Sequence, residues 1–340
     1  MKSPPHLAPE TCPLDAAGPP WLHAAHYADP DELALAQRDW QLRYDQLSCG
    51  RFTGSVQHLR LPGLRLVRET ANRAVRQRGH IGPGDVGFAL ALSHAGNAFF
   101  HGQRLDAESL MIGRGDELDL TSPDDFMLIG MVVDGRLLSD VWHLLYRKPW
   151  ADWLDRKVVV RARPGMAAHV RALHLRLMDS VASDPTLLQH EQGLLQMRDA
   201  ILIDWLEAVP ERVDTSELAT IEARRRVVER VCERVLARPD QPPTLLKVCS
   251  EAGTSPRKLE YCFRDVLGIT PARYLRAVRL NGVRRALKQA ADGRDTVHDI
   301  AARWGFWHMG AFSADYKAQF GELPSATHRL ALGRAGAVAK

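Results

Sequence analysis

The pattern that decides the fold is written twice near the C-terminus, first as TLLKVCSEAGTSPRKLEYCFRDVLGITP at residues 244–271 and then as TVHDIAARWGFWHMGAFSADYKAQFGELP at residues 296–324. Apolar residues, glycines and a proline recur at matching spacings, with one extra residue in the turn of the second copy. The matching positions are Val248, Gly253, Leu259, Phe263, Gly268 and Pro271, then Ile300, Gly305, Phe312, Tyr316, Gly321 and Pro324. An internal repeat outweighs any single motif when a fold is predicted.

Each copy has the form of a helix, a tight turn and a second helix. In the first copy Thr244 is placed to cap the first helix and Gly253 to end it, while Ser255 and Pro256 can start the second. The second helix then leaves a basic, hydrogen-bonding outer face made of Arg257, Lys258, Glu260, Tyr261 and Arg264. This arrangement is typical of a DNA-binding helix-turn-helix, and we place the two motifs at 244–267 and 296–320.

A long helix is predicted between the two copies, beginning at Thr270-Pro271 and reaching Gln289. Such a helix spans about 28 Å at about 1.5 Å per residue. One turn of DNA is about 34 Å long, so two reading helices joined in this way could enter successive major grooves.

These residues resemble the double helix-turn-helix domain of the AraC/XylS family of transcription regulators. The resemblance covers roughly residues 225–330, where many fixed spacings agree at once. It rests on Ser255, Pro256, Arg257, Lys258, Leu259, Phe263, Gly268, Pro271, Tyr274, Ile300, Ala301, Gly305, Phe306, Phe312, Gly321 and Pro324. The family implies a sequence-specific DNA-binding regulator, with RNA polymerase as a partner.

A narrower similarity is to the ethanolamine-operon activator branch of that family. Its motifs are Trp304 to His308, Phe320 to Glu322, Pro324-Ser325 and Arg279 to Asn281, with thinner matches upstream at Tyr44 to Leu47, Arg76-Gln77 and Ser122 to Asp125. The resemblance implies an activator of ethanolamine utilisation genes, with ethanolamine and adenosylcobalamin as inducers. The sequence itself shows no cobalamin-ligating motif, and we expect no covalently bound cofactor and no metal.

The family also implies roles for single residues. Arg257, Glu260 and Tyr261 are expected to face base edges, with Arg257 matched to guanine and Glu260 to a cytosine amino group. Lys258, Arg264 and Lys317 are expected to contact phosphates, which position a protein without reading sequence. The outer face of the second reading helix is formed by His308, Met309 and Ser313. Ala314 stands where many family members carry arginine, which puts base reading by that helix in doubt.

The charge of the chain is divided unevenly. Residues 221–340 hold 22 Lys and Arg against 12 Asp and Glu, whereas residues 1–220 hold 23 against 29. The C-terminal part, which carries the repeat, therefore has a net charge of +10 and the N-terminal part −6, which together give the +4 of the whole chain. A local basic excess is what neutralisation of DNA phosphates requires, and it predicts strongly salt-dependent binding.

Residues 50–135 have a different character, with short apolar runs separated by turns rich in glycine and proline. Such frequent strand-length runs favour an antiparallel sandwich or a small barrel. The family often carries a cupin-like barrel as its sensor, and barrel mouths are common ligand sites. Four side chains could orient a polar ligand there, although a surface ion pair or a sheet-edge charge is the more ordinary interpretation of any single one: Arg68, Glu69, Arg76 and Asp125. The fold class is therefore α+β, with an N-terminal antiparallel cupin-like barrel and a C-terminal all-helical domain.

Leucines recur every seven residues at Leu188, Leu195 and Leu202 in a stretch with helical periodicity. A stripe this wide suits a helix buried within one protomer or between two, so a homodimer is one of two open readings. We divide the chain into a flexible N-terminus (1–30), a barrel sensor (31–136), a helical linker and dimerisation region (137–209), a hinge (210–220), a DNA-binding domain (221–330) and a tail (331–340).

The five cysteines form no CxxC pair, and the proline-rich N-terminus lacks the apolar core of a signal peptide. With no apolar run of membrane-spanning length, we expect a cytoplasmic protein and no membrane partner. The sequence predicts a ligand-responsive transcription activator and not an enzyme. The alternatives are a regulator sensing another metabolite, a cupin-like enzyme domain fused to the DNA-binding domain, and a constitutive regulator whose barrel only dimerises.

Overall fold

The computed structural model describes residues 21–37, 40–93, 96–114, 118–154, 158–210, 220–237, 243–290 and 295–338. Contacts between these residues divide the chain into two compact units. The first unit runs to Leu138 and includes a short segment up to Val160, and the second comprises the rest of the chain from Ser139.

The first unit is built from antiparallel strands. They are β1 (Trp21–Tyr27), β2 (Gln41–Gln46), β3 (Gly54–Leu61), β4 (Leu64–Ala71), β5 (Val75–His80), β6 (Asp85–Ser93), β7 (Phe99–Phe100), β8 (Gln103–Arg104), β9 (Ser109–Arg114), β10 (Leu118–Ser122), β11 (Phe126–Asp134) and β12 (Val159–Arg161). A short helix, α1 (Pro30–Leu35), lies between β1 and β2.

The strands form two sheets, with the orders β1-β3-β4-β11-β6-β9-β12 and β2-β5-β10-β7-β8. Both sheets contribute to the same apolar cores, as Val56 of β3 and Val75 of β5 illustrate, so the sheets pack face to face. The prediction of an antiparallel sheet domain is confirmed, but the prediction of a closed barrel is wrong. Among the strands described, each sheet keeps two edges, because its first and last strands each pair on one side only.

Strand β1 lies within the segment that the sequence predicted to be flexible, residues 1–30. All seven of its residues pair with β3, from Trp21 opposite Arg60 to Tyr27 opposite Gly54. The prolines that suggested disorder are concentrated before residue 21, outside the described residues. The strand is held by a partner more than 25 residues away, which local composition does not reveal.

The second unit is helical. Its helices are α2 (Gly135–Tyr146), which begins in the first unit, α3 (Trp150–Leu154), α4 (Met166–Ser183), α5 (Glu191–Glu207), α6 (Ile221–Leu236), α7 (Leu245–Ala252), α8 (Pro256–Leu267), α9 (Pro271–Gln289), α10 (Val297–Arg303), α11 (Met309–Phe320) and α12 (Pro324–Val338). A short 3₁₀ helix, Pro185–Gln189, joins α4 to α5. The last helix continues into the predicted tail.

The double helix-turn-helix is confirmed, with α7 and α8 forming the first motif and α10 and α11 the second. Thr244 and Ser255 accept hydrogen bonds from backbone N–H groups in the first turns of α7 and α8, as capping residues do. Gly253 has φ of 66° at the turn between the two helices, a left-handed value that favours glycine. In the second motif, Thr296 and Asp299 form a reciprocal capping box at the start of α10.

Each motif has its own apolar core. Val248, Leu259 and Phe263 meet α6 in the first core, and their repeat partners Ile300, Phe312 and Tyr316 lie in the second. All six side chains are no more than 1% exposed. The predicted connecting helix is α9, which contributes Leu275 to the first core and residues further along to the second. The positions that repeat in the sequence therefore occupy equivalent places in the two cores.

The helices at 137–209 do not form a separate linker. Helices α4 and α5 belong to the same compact unit as the helix-turn-helix motifs, and α5 contacts both α7 and α10. Much of the apolar stripe is buried within the chain: Ile201, Leu202 and Trp205 are 0% exposed, and Leu188 and Leu195 are half-buried. Of the two readings left open, burial inside the protomer is the one observed. Most of the predicted hinge, residues 211–219, lies outside the described residues.

Candidate DNA-binding surface and interior cavity

The first reading helix, α8, presents an exposed face formed by three of the predicted DNA contacts. Tyr261 is 47% exposed, and the side chains of Glu260 and Arg264 are 44% and 65% exposed. Arg264 pairs with Glu260 at 2.8 Å, one helical turn away. Arg224 of α6 lies over the Tyr261 ring at 5.5 Å. On this face Glu260 and Tyr261 can hydrogen-bond to base edges, and Arg264 can reach a phosphate.

Arg257 is placed differently from these three residues. Its side chain is 19% exposed and lies 3.9 Å from the carboxylate of Glu207 at the end of α5. It also donates a hydrogen bond of 3.4 Å to the Glu207 carbonyl. Its guanidinium carbon is 5.8 Å from the centre of the Tyr146 ring, within reach of a cation–π contact. The predicted guanine reader is therefore held by α2 and α5.

Lys258, predicted to contact phosphate, is 6% exposed. Its backbone N–H donates to Ser255, so it belongs to the first turn of α8. Nearby, Arg147 donates to the carbonyl of Gly253 in the turn itself. The first turn of α8 is therefore covered by other residues, while the outer face of the middle of this helix is exposed.

The second reading helix places its predicted contacts in unlike environments. His308 caps α11, since its Nδ1 accepts a hydrogen bond of 3.1 Å from the N–H of Ala311. Met309 packs against the second core. Ser313 is half-buried and Lys317 is exposed. Only Lys317 stands on an open surface, so this helix offers less base-reading chemistry than α8.

The first unit encloses an interior cavity between its two sheets. Its volume is about 70 Å³, and its walls come from eight strands of the two sheets and from residues next to them. The lining is apolar apart from Glu69 and Gln77 and the indole of Trp40. Its apolar walls include Phe88, Phe100, Met111, Leu120 and Leu128.

Glu69 is the one predicted ligand-binding residue that lines this cavity. It accepts hydrogen bonds from Gln37 Nε2 at 2.5 Å, from the Tyr44 hydroxyl at 2.9 Å and from Gln77 Nε2 at 2.6 Å. Burial raises the pKa of the Glu69 carboxyl to about 7, although these three hydrogen bonds act to lower it. A buried carboxyl that titrates near neutrality is a common feature of functional sites.

The other three predicted ligand residues lie elsewhere. Arg68 is adjacent to Glu69 in β4, and its side chain lies on the opposite face of the strand because side chains alternate along a strand. Arg76 forms a bidentate pair with Asp119 at 2.8 and 2.9 Å. Asp125 occupies the turn before β11 with φ of 51°. None of the three lines the cavity.

Comparison with known proteins agrees with the geometry of the second unit. Residues 248–329 match a family model described as a helix-turn-helix domain. The chain is 26% identical over 326 residues to "XylDLEGF operon transcriptional activator 1" of Pseudomonas putida, an alignment that covers 91% of this chain and 94% of the relative. The chain is an AraC/XylS-family transcriptional regulator.

Other similarities concern only the C-terminal part. The "Probable thc operon regulatory protein" of Rhodococcus erythropolis is 37% identical over 99 residues, and the alignment spans only 30% of that relative's length. A solved structure of a probable AraC family transcriptional regulator from Rhodopseudomonas palustris is 31% identical, covers 31% of this chain and 97% of that structure, and superposes with a TM-score of 0.29.

Two residues of this AraC/XylS-family regulator that matter at the reading helix were missed by sequence reasoning. Glu207 and Tyr146 both contact Arg257, yet neither belongs to the helix-turn-helix motifs. Burial raises the pKa of Glu207 to about 7, partly offset by the nearby charge of Arg163. No local pattern marks them, because they are 50 or more positions from Arg257 along the chain.

Two classes of site have no support in the part of the chain that the structure describes. In the described ranges, no three His, Cys, Asp or Glu side chains cluster in a way that could hold a metal ion. No described helix combines the length and the apolar character needed to cross a bilayer.

Proposed function

We propose that this regulator reads DNA chiefly through α8 and activates transcription in response to a small molecule bound in the N-terminal sandwich. The observation that carries the DNA-reading part is the open face of α8, where Glu260, Tyr261 and Arg264 are exposed together on a helix capped and packed as a reading helix. Activation is the role printed in the names of several relatives, such as the Pseudomonas putida activator. Activation would also require contact with RNA polymerase.

The test of DNA reading is a comparison of two variants on DNA selected from a randomised pool by the full-length protein. Arg257→Ala is expected to lose about 1–3 kcal/mol of binding free energy on the selected sequence and to relax preference at particular base pairs. Arg264→Ala is expected to weaken binding evenly across sequences, because it removes a phosphate contact. Binding is measured by fluorescence anisotropy at one fixed salt concentration.

Two results would contradict this assignment. An even loss across sequences in the Arg257→Ala protein would remove its base-reading role. Failure of the unmodified protein to enrich any sequence from the pool would contradict DNA reading as a whole.

The inducer is proposed from the sequence resemblance as ethanolamine together with adenosylcobalamin. The cavity of about 70 Å³ is compatible with a ligand the size of ethanolamine. Adenosylcobalamin is far larger than this cavity and would need a different surface. A thermal unfolding scan with each compound, both and neither tests the pair, since a ligand at 100 times its dissociation constant adds about 2.7 kcal/mol of stability.

We also propose a homodimer, formed through surfaces other than the apolar stripe of α5. That stripe is buried within the protomer, because Ile201 and Trp205 are 0% exposed. Sedimentation of the full chain, with and without DNA, distinguishes a monomer from a dimer.

A further inference from the structure

A groove in the second unit lies between α9 and α11, and its volume is about 590 Å³. One end is formed by Thr270, the N-cap of α9, three residues after α8 ends at Leu267. Asp315, Ala318 and Gln319 of α11 form its other wall. The groove therefore extends from the end of the first reading helix to the flank of the second.

The lining of this groove is basic. Arg273, Arg276 and Arg279 line it at intervals of three residues along α9, a spacing that places neighbouring side chains on one face of a helix. Of the described residues in the lining, Asp315 is the one carboxylate. The groove thus carries three positive charges against one negative charge, and an anion would complement it.

The single carboxylate leaves two of these arginines without an acidic partner. Arg276 lies 3.1 Å from Asp315, and its side chain is 48% exposed. Among the described residues, no acidic side chain pairs with Arg279 or with Arg273, which is exposed. An ion pair as exposed as that of Arg276 is weak, so a phosphate group can compete with Asp315 for this guanidinium.

Arg279 is held in the wall of the groove. Its guanidinium carbon lies 5.3 Å from the centre of the Phe306 ring, and its Nη1 donates a hydrogen bond of 3.5 Å to the carbonyl of Gly305. Its Nε is buried and has no hydrogen-bond partner among the described residues. Burial and the nearby charge of Arg276 lower the pKa of Arg279 to about 10, so the side chain remains a cation at neutral pH. An anion in the groove would offset the cost of this buried charge.

We propose that this groove holds the phosphate backbone of the DNA between the two half-sites, with Arg273 and Arg276 each contacting a phosphate and Arg279 adding its charge from the wall. A duplex bound by both reading helices is continuous between them, and the groove extends over the same interval. DNA presents about one negative charge per 1.7 Å of its axis, which suits a row of arginines. The contact rests on the proposed reading of DNA and adds to it an interaction that does not depend on base sequence.

The first test is the salt dependence of DNA binding by the full-length protein, measured by anisotropy on selected and random duplexes. Each neutralised phosphate contributes about 0.9 to the slope of log affinity against log salt. Arg273→Ala and Arg276→Ala are each expected to reduce the slope by about one and to weaken binding evenly on both duplexes. Alanine is a good helix former and both arginines are exposed, so the variants are expected to fold.

Arg285→Ala is the matched control. Arg285 is an exposed residue of the same helix, but it lies nine residues from Arg276. At about 3.6 residues per turn this is two and a half turns, which places it on the opposite face of α9. The Arg285→Ala protein loses the same charge and is expected to keep the slope of the unmodified protein.

The second test locates the phosphates. Neutral methylphosphonate linkages replace phosphates between the half-sites of the selected sequence or, in a control duplex, beyond its outer ends. Linkages between the half-sites are expected to weaken binding by the unmodified protein and to have much less effect on the Arg276→Ala protein, which has already lost the contact. Linkages beyond the ends are expected to affect both proteins equally.

The proposal is overturned if Arg273→Ala and Arg276→Ala keep the slope of the unmodified protein, if Arg285→Ala reduces it as much, or if the neutral linkages between the half-sites weaken all proteins by the same factor. It is also overturned in favour of a small anion if inorganic phosphate raises the thermal unfolding midpoint of the unmodified protein but not of Arg276→Ala, while the DNA salt slopes of the two proteins agree.

Failure of this proposal is distinct from failure of DNA reading by α8. A protein that enriches a sequence from the pool but shows unchanged slopes in the variants loses the groove contact and keeps its role as a reader. If no sequence is enriched, base reading is lost, and the salt slopes on random duplex DNA still decide whether the groove holds phosphates.

Discussion

The guanidinium of Arg257 lies 3.9 Å from the carboxylate of Glu207 and 5.8 Å from the centre of the Tyr146 ring. A side chain held in this way must leave both partners before it can reach a base edge. Reading of DNA by Arg257 therefore competes with contacts inside the protein. The competition is between groups of one chain, so its strength can be changed by a single substitution.

Replacing Glu207 with glutamine is expected to raise the affinity for the selected DNA about two- to fivefold, since a partly exposed ion pair contributes up to about 1 kcal/mol. The measurement is anisotropy well above pH 7, where the Glu207 carboxylate is ionised. Glu222→Gln, at an exposed position on α6, removes the same charge without touching Arg257. Equal gains in both variants would show that the effect is only one of net charge.

Glu69 gives a second prediction at this scale. Its pKa rises from an ordinary value of 4.5 to about 7 in the folded protein. The folded state therefore binds the proton more tightly than the unfolded state, so the stability linked to Glu69 is fully present below pH 4.5 and is lost as the pH rises through 7. The change is on the order of 3 kcal/mol.

Denaturant unfolding of the unmodified protein and of Glu69→Gln across this pH range measures the effect. The stability of the unmodified protein is expected to fall relative to the variant between pH 4.5 and 7, the two pKa values of the group. Curves that stay parallel would mean that Glu69 has the same pKa in both states.

At the scale of elements, the contact between α9 and the end of α10 sets how the second helix-turn-helix packs. A Cβ atom added at Gly282 would lie 2.0 Å from the Trp304 ring. Gly282→Ala is therefore expected to destabilise the second unit by about 1–3 kcal/mol through overpacking, which outweighs the helix propensity that alanine gains. The measurement is denaturant unfolding followed by circular dichroism.

Gly193→Ala in α5 is a matched control, because the nearest atom to its added Cβ is 3.6 Å away. It is expected to be neutral or to stabilise by up to about 1 kcal/mol, since glycine is a poor helix former. If Gly282→Ala were as stable as this control, Trp304 would have room to move and the packing argument would be wrong.

What the sequence predicted well was local. The caps Thr244 and Ser255, the turn at Gly253 and the buried repeat positions all follow from spacings within a few turns of helix. The closed barrel was predicted wrongly because closure depends on whether edge strands pair, and the two edge strands of each sheet, β1 and β12 or β2 and β8, are far apart in the sequence. The contact of Arg257 with Glu207 was missed for the same reason.

The residues proposed for the ligand site show the same division. Strand-like runs correctly indicated a sheet domain, but only the pairing of strands decides which side chains face inward. Glu69 lines the cavity, whereas Arg76 forms an ion pair with Asp119 on a neighbouring strand. The sequence could identify all of these residues as candidates, but it could not show which of them line the cavity.

At the scale of the whole molecule, two elements fix the separation of the two reading helices. They are joined along the chain by α9, Pro271–Gln289, and α5 contacts α7 and α10, the first helices of both motifs. Two reading helices held in this way cannot easily change the distance between them. The spacing of the two half-sites on DNA must therefore match that distance.

Insertion of one base pair between the two half-sites of a selected sequence moves one of them by about 3.4 Å and rotates it by about 35°. Affinity is expected to fall at least tenfold, whereas a base change in the same spacer is expected to have little effect. Anisotropy titrations on the two DNAs make the comparison. Equal binding to both would mean that the second helix contributes nothing or that the pair is flexible.

The position of Arg257 also has a kinetic consequence. Arg264 and Lys317 are exposed, so the protein can hold phosphates while Arg257 remains on Glu207. A molecule in that state can slide along DNA of any sequence, and it stops where a suitable base pair competes successfully for the guanidinium. Target and random DNA would then capture the protein at similar rates and release it at very different ones.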